Sequence, residues 1–250
     1  MNMNFEGKCV VVSGAAIGFG RAIAEFFVRA GARVYGCDVQ ADKLADLARV
    51  GVTTAVVDLC DREAGAAWIR EIEAGAGGAI DILINNAGGV AGHAHQPIED
   101  VTDDAWDRVI DINLGSTFAL SRAVAPAMKQ RGAGAIVNIS SGAALQASLT
   151  GVQAYCAAKH AVLGLTRQLA HELGPHGIRV NAVAPGFVRT NDATERQWNA
   201  MGAAKQAALL ESIAMRRLGT PEDIANVTAF LASDMAGMVN GQIISVDGGR

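Results

Sequence analysis

Cys9-Val10-Val11-Val12-Ser13-Gly14-Ala15-Ala16-Ile17-Gly18-Phe19-Gly20 decides the fold. A short apolar run, mostly β-branched, ends in a glycine-bearing turn. From residue 18 apolar side chains recur at helical spacing, with Ile23, Phe26 and Phe27 on one side and Gly31 as a stop. This reads as a buried strand that turns through Gly14-x-x-x-Gly18-x-Gly20 into a helix. Glycines there permit a tight turn and let backbone N–H groups approach a pyrophosphate at the helix N-terminus. The spacing differs from the commoner G-x-G-x-x-G pattern. Many strand–helix turns use glycine for backbone reasons alone, so the neighbouring elements must decide.

Outward from this turn, strand and helix patterns alternate. Strands are expected at 33–37, 53–57, 80–84, 135–139, 178–183 and 242–246. Helices are expected at 41–49, 61–74 and 153–173, and one long helix at 103–130, bent near Pro126 where a helix hydrogen bond is lost. Residues 191–217 read as a mixed segment. Thr220-Pro221-Glu222-Asp223 is a helix start, with Thr220 as N-cap and Asp223 closing a capping box. Repeated strand–helix units imply an α/β, doubly wound, mostly parallel sheet of about seven strands with helices on both faces. No composition break or internal repeat divides the chain, so one domain over residues 1–250 is expected.

Polar and small residues recur where the strands end, which is where such sheets bind ligands. Asp38 follows the second strand, eighteen residues beyond Gly20. A carboxylate there can hold the two adenosine-ribose hydroxyls and repel a 2′-phosphate, which favours NAD over NADP. Asp38 could also merely end a strand or cap a helix. Asp58-Leu59 falls at the level of an adenine, and Asn85-Asn86-Ala87-Gly88 permits close cofactor approach. Within the turn, Ser13, Gly14, Ala16, Ile17, Gly18 and Gly20 are the candidate contacts.

Tyr155 and Lys159 stand four residues apart in the expected 153–173 helix, hence on one face. An ammonium beside a phenol favours the phenolate, so Tyr155 could act as a base below its ordinary pKa of about 10. Lowering that pKa by roughly 3 units requires about 4 kcal/mol, and an oxidised nicotinamide would add a second positive charge. Alone, the pair is also what a solvated lysine beside a half-buried ring looks like.

Composition sets the bounds. The 250 residues are half hydrophobic and 18% charged, with a net charge of −4, which is ordinary for a globular domain. Mild acidity without a basic cluster argues against a nucleic-acid surface. Cys9, Cys37, Cys60 and Cys156 have neither metal nor disulfide spacing, so reduced thiols in a cytoplasmic protein are the default reading. The N-terminal Met1-Asn2-Met3-Asn4-Phe5-Glu6-Gly7-Lys8 shows no signal peptide pattern. Residues 132–158 carry no charge but are too polar and too interrupted by glycine for a spanning helix.

Taken together, these motifs resemble the compact branch of the short-chain dehydrogenase/reductase family, a single-domain Rossmann-type fold, over nearly the whole chain. The carrying features are the glycine turn, Asn85-Asn86-Ala87-Gly88, Asn113, Ile139-Ser140-Ser141, Tyr155-x-x-x-Lys159, Pro185-Gly186 and the terminal Val246-Asp247-Gly248-Gly249. The resemblance implies Tyr155 as general acid/base. It implies that Lys159 lowers the tyrosine pKa and holds the nicotinamide ribose. Ser141 would stabilise the substrate oxygen, and Asn113 would bind a water linking Lys159 to solvent. It also implies Pro185, Gly186, Val188 and Thr190 along the nicotinamide. Two departures stand out. Position 13 is Ser where Thr is commoner. The serine expected 13 residues before the tyrosine falls on Gly142, so Ser141 is taken through a loop one residue longer, with Ser140 as the alternative.

The implied reaction is hydride transfer between an alcohol carbon and NAD, with no metal required. Specificity is expected in 89–98, 142–152 and 187–217. Gln146, His93, Arg189 and Trp198 are the leading substrate candidates beside Ser141 and Tyr155, and His95, Gln96, Asn191, Arg196, Gln197 and Asn199 follow. This polar, cation-bearing set suggests a sugar, polyol or hydroxy acid. A 3-oxoacyl thioester reductase and a non-catalytic dinucleotide sensor are the alternatives. The resemblance further implies a homotetramer through helices 104–130 and 153–173.

Overall fold

The computed structural model describes residues 3–250; Met1 and Asn2 of the N-terminal segment read above lie outside the described residues. The elements are β1 (Cys9–Ser13), α1 (Gly18–Arg29), β2 (Arg33–Asp38), α2 (Ala41–Ala48), β3 (Thr53–Val56), α3 (Arg62–Ala76) and β4 (Ile82–Asn85). They continue with α4 (Asp103–Ile110), α5 (Ser116–Arg131), β5 (Gly134–Ile139), α6 (Gln153–Leu173), β6 (Ile178–Pro185), α7 (Asp192–Ser212), α8 (Pro221–Ala232) and β7 (Ile243–Val246).

The strands form one seven-stranded sheet in the order β3-β2-β1-β4-β5-β6-β7. Every pairing is parallel, as strand–helix–strand connections require. Alternating side chains feed two cores. Val10 and Val12 of β1 pack with Ile82 and Ile84 of β4 against Ile23 and Phe27 of α1 and Ile224 of α8. Val11 and Leu83 face the other way, against Ile69 of α3, Leu120 and Val124 of α5 and Leu173 of α6. Full burial of each such side chain stabilises the fold by about 1.5–3 kcal/mol. From β1 the chain runs outward to β2 and β3, then returns to the other side of β1 as β4. The loops after β1 and β4 therefore diverge and leave a crevice at their C-terminal ends.

Two expectations are corrected. The single helix over 103–130 is two helices joined by a π turn at Asp111–Gly115, while α5 runs on through Pro126. Side chains in the turn and at the start of α5 take carbonyls four residues back. Asn113 Nδ2 donates to the Val109 carbonyl (2.8 Å), Ser116 Oγ to that of Ile112 (2.6 Å) and Thr117 Oγ1 to that of Asn113 (2.8 Å). Such side-chain bonds compete with the helical ladder. The mixed segment at 191–217 is largely α7, broken at Gly202, whose backbone is non-helical (φ 71°, ψ 162°). The capping box at α8 is present, with Thr220 Oγ1 accepting from the Asp223 N–H (3.2 Å) and Asp223 Oδ2 from the Thr220 N–H (2.9 Å). Among the described residues no helix is long and apolar enough to cross a membrane.

Candidate active site

The crevice is a cleft of about 380 Å³ lined by Gly14, Ile17, Gly18, Asp38, Leu59, Asn86, Ala87, Gly88, Tyr155, Lys159 and Thr190, among others. Its floor needs glycine. Gly14 has φ +63°, and a Cβ there would lie 2.8 Å from the Ala87 Cα; at Gly20 a Cβ would lie 2.0 Å from the Gly14 carbonyl oxygen. The N-cap of α1, Ile17, supplies no side-chain cap, and the first turn carries no acid. Free N–H groups and the positive helix end therefore favour an anion here. Asp38 accepts from the N–H groups of Ala16 and Gln40, both at 3.1 Å. That fixes its carboxylate in the cleft wall, next to an exposed Val39. A dinucleotide fits this set: small residues for close approach, N–H groups for a pyrophosphate, a carboxylate for ribose hydroxyls.

Several expected contacts stand elsewhere. Ser13 is buried, and its hydroxyl accepts from the N–H groups of Asn86 (2.9 Å) and Ala87 (3.0 Å), so it pins the end of β4 instead of facing the cleft. Ala16 contributes through the N–H that holds Asp38. Gly20 lies behind the turn, against Gly14. Asp58 does not line the cleft; it accepts from the Cys60 N–H (3.0 Å) and pairs with Arg108 (3.5 Å), which draws it outward. Asn86 Nδ2 bridges the carbonyls of Ser13 (3.0 Å) and Gly14 (2.9 Å).

At the other end of the cleft stand Tyr155 and Lys159, on the first two turns of α6. Lys159 is 4% exposed, and its Nζ donates to the Ile139 carbonyl at 2.9 Å. It lies 5.7 Å from the centre of the Tyr155 ring. Burial lowers the Lys159 pKa from its ordinary 10.5 to about 8. Burial also raises that of Tyr155, opposed by the Ser141 hydroxyl beside the phenol and reinforced by Cys156. In the protein alone the net direction for Tyr155 is thus upward, against the expected lowering. Desolvation disfavours both charged forms, and no direct Lys159–Tyr155 hydrogen bond offsets it. The two serines differ in their partners. Ser140 Oγ donates to the Lys159 carbonyl at 3.1 Å and is 4% exposed, whereas Ser141 faces the phenol. Asn113 clamps the loop after β4, accepting from the Gly89 N–H (3.0 Å) and donating to its carbonyl (2.8 Å). With the Val109 bond, both amide hydrogens of Asn113 are engaged, so any water at this side chain would meet an acceptor only. Gly88 lies between Asn113 and Lys159, because a Cβ there would meet Asn113 Oδ1 at 2.5 Å and Lys159 Nζ at 3.2 Å.

Tyr155, Ser140, Phe19 and Thr190 also border a second cavity of about 180 Å³. Its remaining lining includes Ser141, Gln146, Ser148, Thr150, Gln197, Asp247 and Arg250, and the expected nicotinamide residues Pro185, Gly186 and Val188. Of the substrate candidates, Gln146 is in this wall and His93, Arg189 and Trp198 are not. Arg189 is held bidentately by Glu195 (3.0 and 2.7 Å), and Trp198 stacks behind the wall residue Phe187 (centroids 6.0 Å apart). His93 sits in a turn, its N–H on the Val90 carbonyl (2.8 Å). His95 Nδ1 contacts the Gly151 carbonyl (3.0 Å), and Gln96 offers its carbonyl to Gln153 Nε2 (2.8 Å). Asn191 caps α7 and lines the cleft, while Arg196 and Asn199 line neither cavity. Asp247 and Arg250 were missed as site residues. The hint was the terminal motif, but only the β6–β7 pairing, Pro185 opposite Val246, brings it to the site.

A family model described as enoyl-(acyl carrier protein) reductase matches residues 14–250. A short-chain type dehydrogenase/reductase of Sinorhizobium fredii, y4mP, is 37% identical over 262 residues, 99% of this chain and 98% of that protein. The 3-oxoacyl-[acyl-carrier-protein] reductase FabG of Escherichia coli is 37% identical over 251 residues, again 99% and 98%. A candidate NAD(P)-dependent gluconate 5-dehydrogenase of Beutenbergia cavernae, solved with NADP bound at low occupancy, superposes with a TM-score of 0.89 at 38% identity, covering 100% of this chain and 98% of that one.

Proposed function

The chain belongs to the short-chain dehydrogenase/reductase family, and from that premise we propose that it interconverts a polar secondary alcohol and its carbonyl using NAD(H). The observation that carries this reading is the position of Tyr155, which borders both the dinucleotide-shaped cleft and the smaller polar cavity. A bound nicotinamide supplies the hydride acceptor or donor. Gly14, Ile17, Gly18 and the α1 N-terminus would hold its pyrophosphate, Asp38 the adenosine ribose, Lys159 the nicotinamide ribose and Thr190 the carboxamide end.

The chain's own residues manage the proton. In oxidation Tyr155 Oη takes the hydroxyl proton; in reduction it returns one to the carbonyl oxygen. Ser141 Oγ donates to that oxygen and stabilises charge on it. The Lys159 ammonium, 5.7 Å from the ring centre, and the positive charge of an oxidised nicotinamide would together favour the phenolate. Asn113 keeps the Gly88–Gly89 loop against Lys159, and a water on its oxygen would lead the proton outward. Asp38 is the ground for NAD, since its carboxylate would repel a 2′-phosphate and Val39 and Gln40 beside it supply no cation.

The test is NADH formation over a panel of sugars, polyols, hydroxy acids and simple secondary alcohols, with NADP run in parallel. Turnover on the polar members with NAD supports the reading; dinucleotide binding without turnover of any alcohol or ketone contradicts it and supports a sensor. The second reading, a 3-oxoacyl thioester reductase, draws on the FabG relative. A 3-oxoacyl thioester in the reductive panel tests it, and preference for that substrate would displace the polar alcohol. We also propose a cytoplasmic homotetramer packed through α5 and α6, where Phe118 is 39% exposed beside a groove of about 400 Å³. Light scattering checks the assembly.

A further inference from the structure

Resting on the oxidoreductase reading above, we propose that Arg250 recognises a carboxylate, so that the substrate is a hydroxylated carboxylic acid. Among the described residues, Arg250 is the one cation lining the cavity beside Tyr155 and Ser141. Its Nε donates to Ser212 Oγ at 3.3 Å, which orients the guanidinium. Among the described residues it forms no ion pair, and its two terminal nitrogens have no protein acceptor. Nearby arginines differ: Arg189 is neutralised by Glu195 (2.7 Å) and Arg217 by Asp223 (3.0 Å).

A guanidinium with its fork open suits a planar carboxylate, which it can bind through two parallel N–H bonds. The rest of the wall calls for hydroxyl groups on the same molecule. Asp247 carries a carboxylate in this cavity, with Oδ1 accepting from the Gly249 N–H at 2.9 Å. It can accept from substrate hydroxyls and disfavours an anion placed away from Arg250. Gln146 also lines this cavity, with a side-chain amide that makes no hydrogen bond to the described protein. A plain hydrocarbon alcohol would meet neither the terminal nitrogens of Arg250, nor the second oxygen of Asp247, nor the Gln146 amide.

The test is calorimetric binding to the whole protein saturated with NADH, using a series of aldonates and the alditols of the same chain lengths, with turnover measured alongside. Arg250 is exposed, so water competes, and the acid-over-alditol preference is set at about tenfold, less than a buried charged pair would give. Arg250→Gln should abolish that preference, and Arg250→Lys, which keeps the charge without the fork, should restore part of it. Equal binding of acids and alditols by the wild type, a preference that survives Arg250→Gln, or no binding of any acid would overturn the role of Arg250. A preference lost in Arg250→Gln without turnover of any acid or alditol would leave that role standing and overturn the oxidoreductase reading instead.

Discussion

The hydroxyl of Ser140 donates to the carbonyl of Lys159 at 3.1 Å, tying the end of β5 to the helix that carries Tyr155. Ser141 is thereby left facing the phenol. Ser141→Ala should lower kcat by about 10²–10³-fold, as loss of an oxyanion donor does, with NAD affinity little changed. Ser140→Ala should instead cost about 1 kcal/mol of stability in urea unfolding. Steady-state kinetics on both variants, with fluorescence titration of NAD, checks this; a Ser140→Ala enzyme as slow as Ser141→Ala would erase the distinction.

On the proposed reading cofactor choice turns on Asp38, held by the N–H groups of Ala16 and Gln40. Replacing Asp38 by Ser and Val39 by Arg removes the repelling carboxylate and adds a cation. The NAD-to-NADP ratio of kcat/KM should fall by about 100-fold, the scale of one charge-assisted hydrogen bond. An unchanged ratio would deny Asp38 the ribose.

Glycine substitutions separate close packing from open space. In Gly20→Ala the new methyl meets backbone of Gly14 at 2.0 Å, which cannot yield as a side chain can. Loss of about 1–3 kcal/mol and weaker NAD binding should follow. Gly75 lies exposed in α3 with nothing within 4 Å of a Cβ, and Gly75→Ala should stabilise by about 0.5–1 kcal/mol through helix propensity. Thermal melts of both variants give the comparison.

What could be read in advance was what local pattern determines. The apolar spacing of α6 marked its limits at Gln153 and Leu173, and Thr220-Pro221-Glu222-Asp223 marked the start of α8. The π turn was hidden because Asn113 also bonds Gly89, twenty-four residues away. Ser13 and Asp58 stand outside the cleft lining for the same reason: the partners that hold them, Asn86 and Arg108, lie on other elements. Arg250 reaches the site only through the pairing of β7 with β6.

The buried Lys159 gives a signed pH dependence of stability. Its pKa is lowered from 10.5 to about 8, so between those values the unfolded chain binds more protons than the folded one. Stability contributed by this group is therefore lowest below pH 8 and recovers as pH rises toward 10.5. Cys9 and Cys37, pushed up to about 11 and about 12, act oppositely above pH 9, because the unfolded chain ionises first. The readout is accordingly wild type minus Lys159→Met, which should shift toward the wild type by about 3 kcal/mol from pH 7.5 to 10.5. A flat difference would mean that Lys159 is not desolvated.

The central claim is that Tyr155 moves the proton, and one measurement meets it directly: NADH formation by Tyr155→Phe on the best alcohol substrate, with NAD binding titrated in the same preparation. The account predicts a fall in turnover of about 10³-fold, within the range of general acid–base catalysis, and NAD affinity within about twofold of wild type. A phenylalanine enzyme that binds NAD and still turns over at the wild-type rate would contradict it.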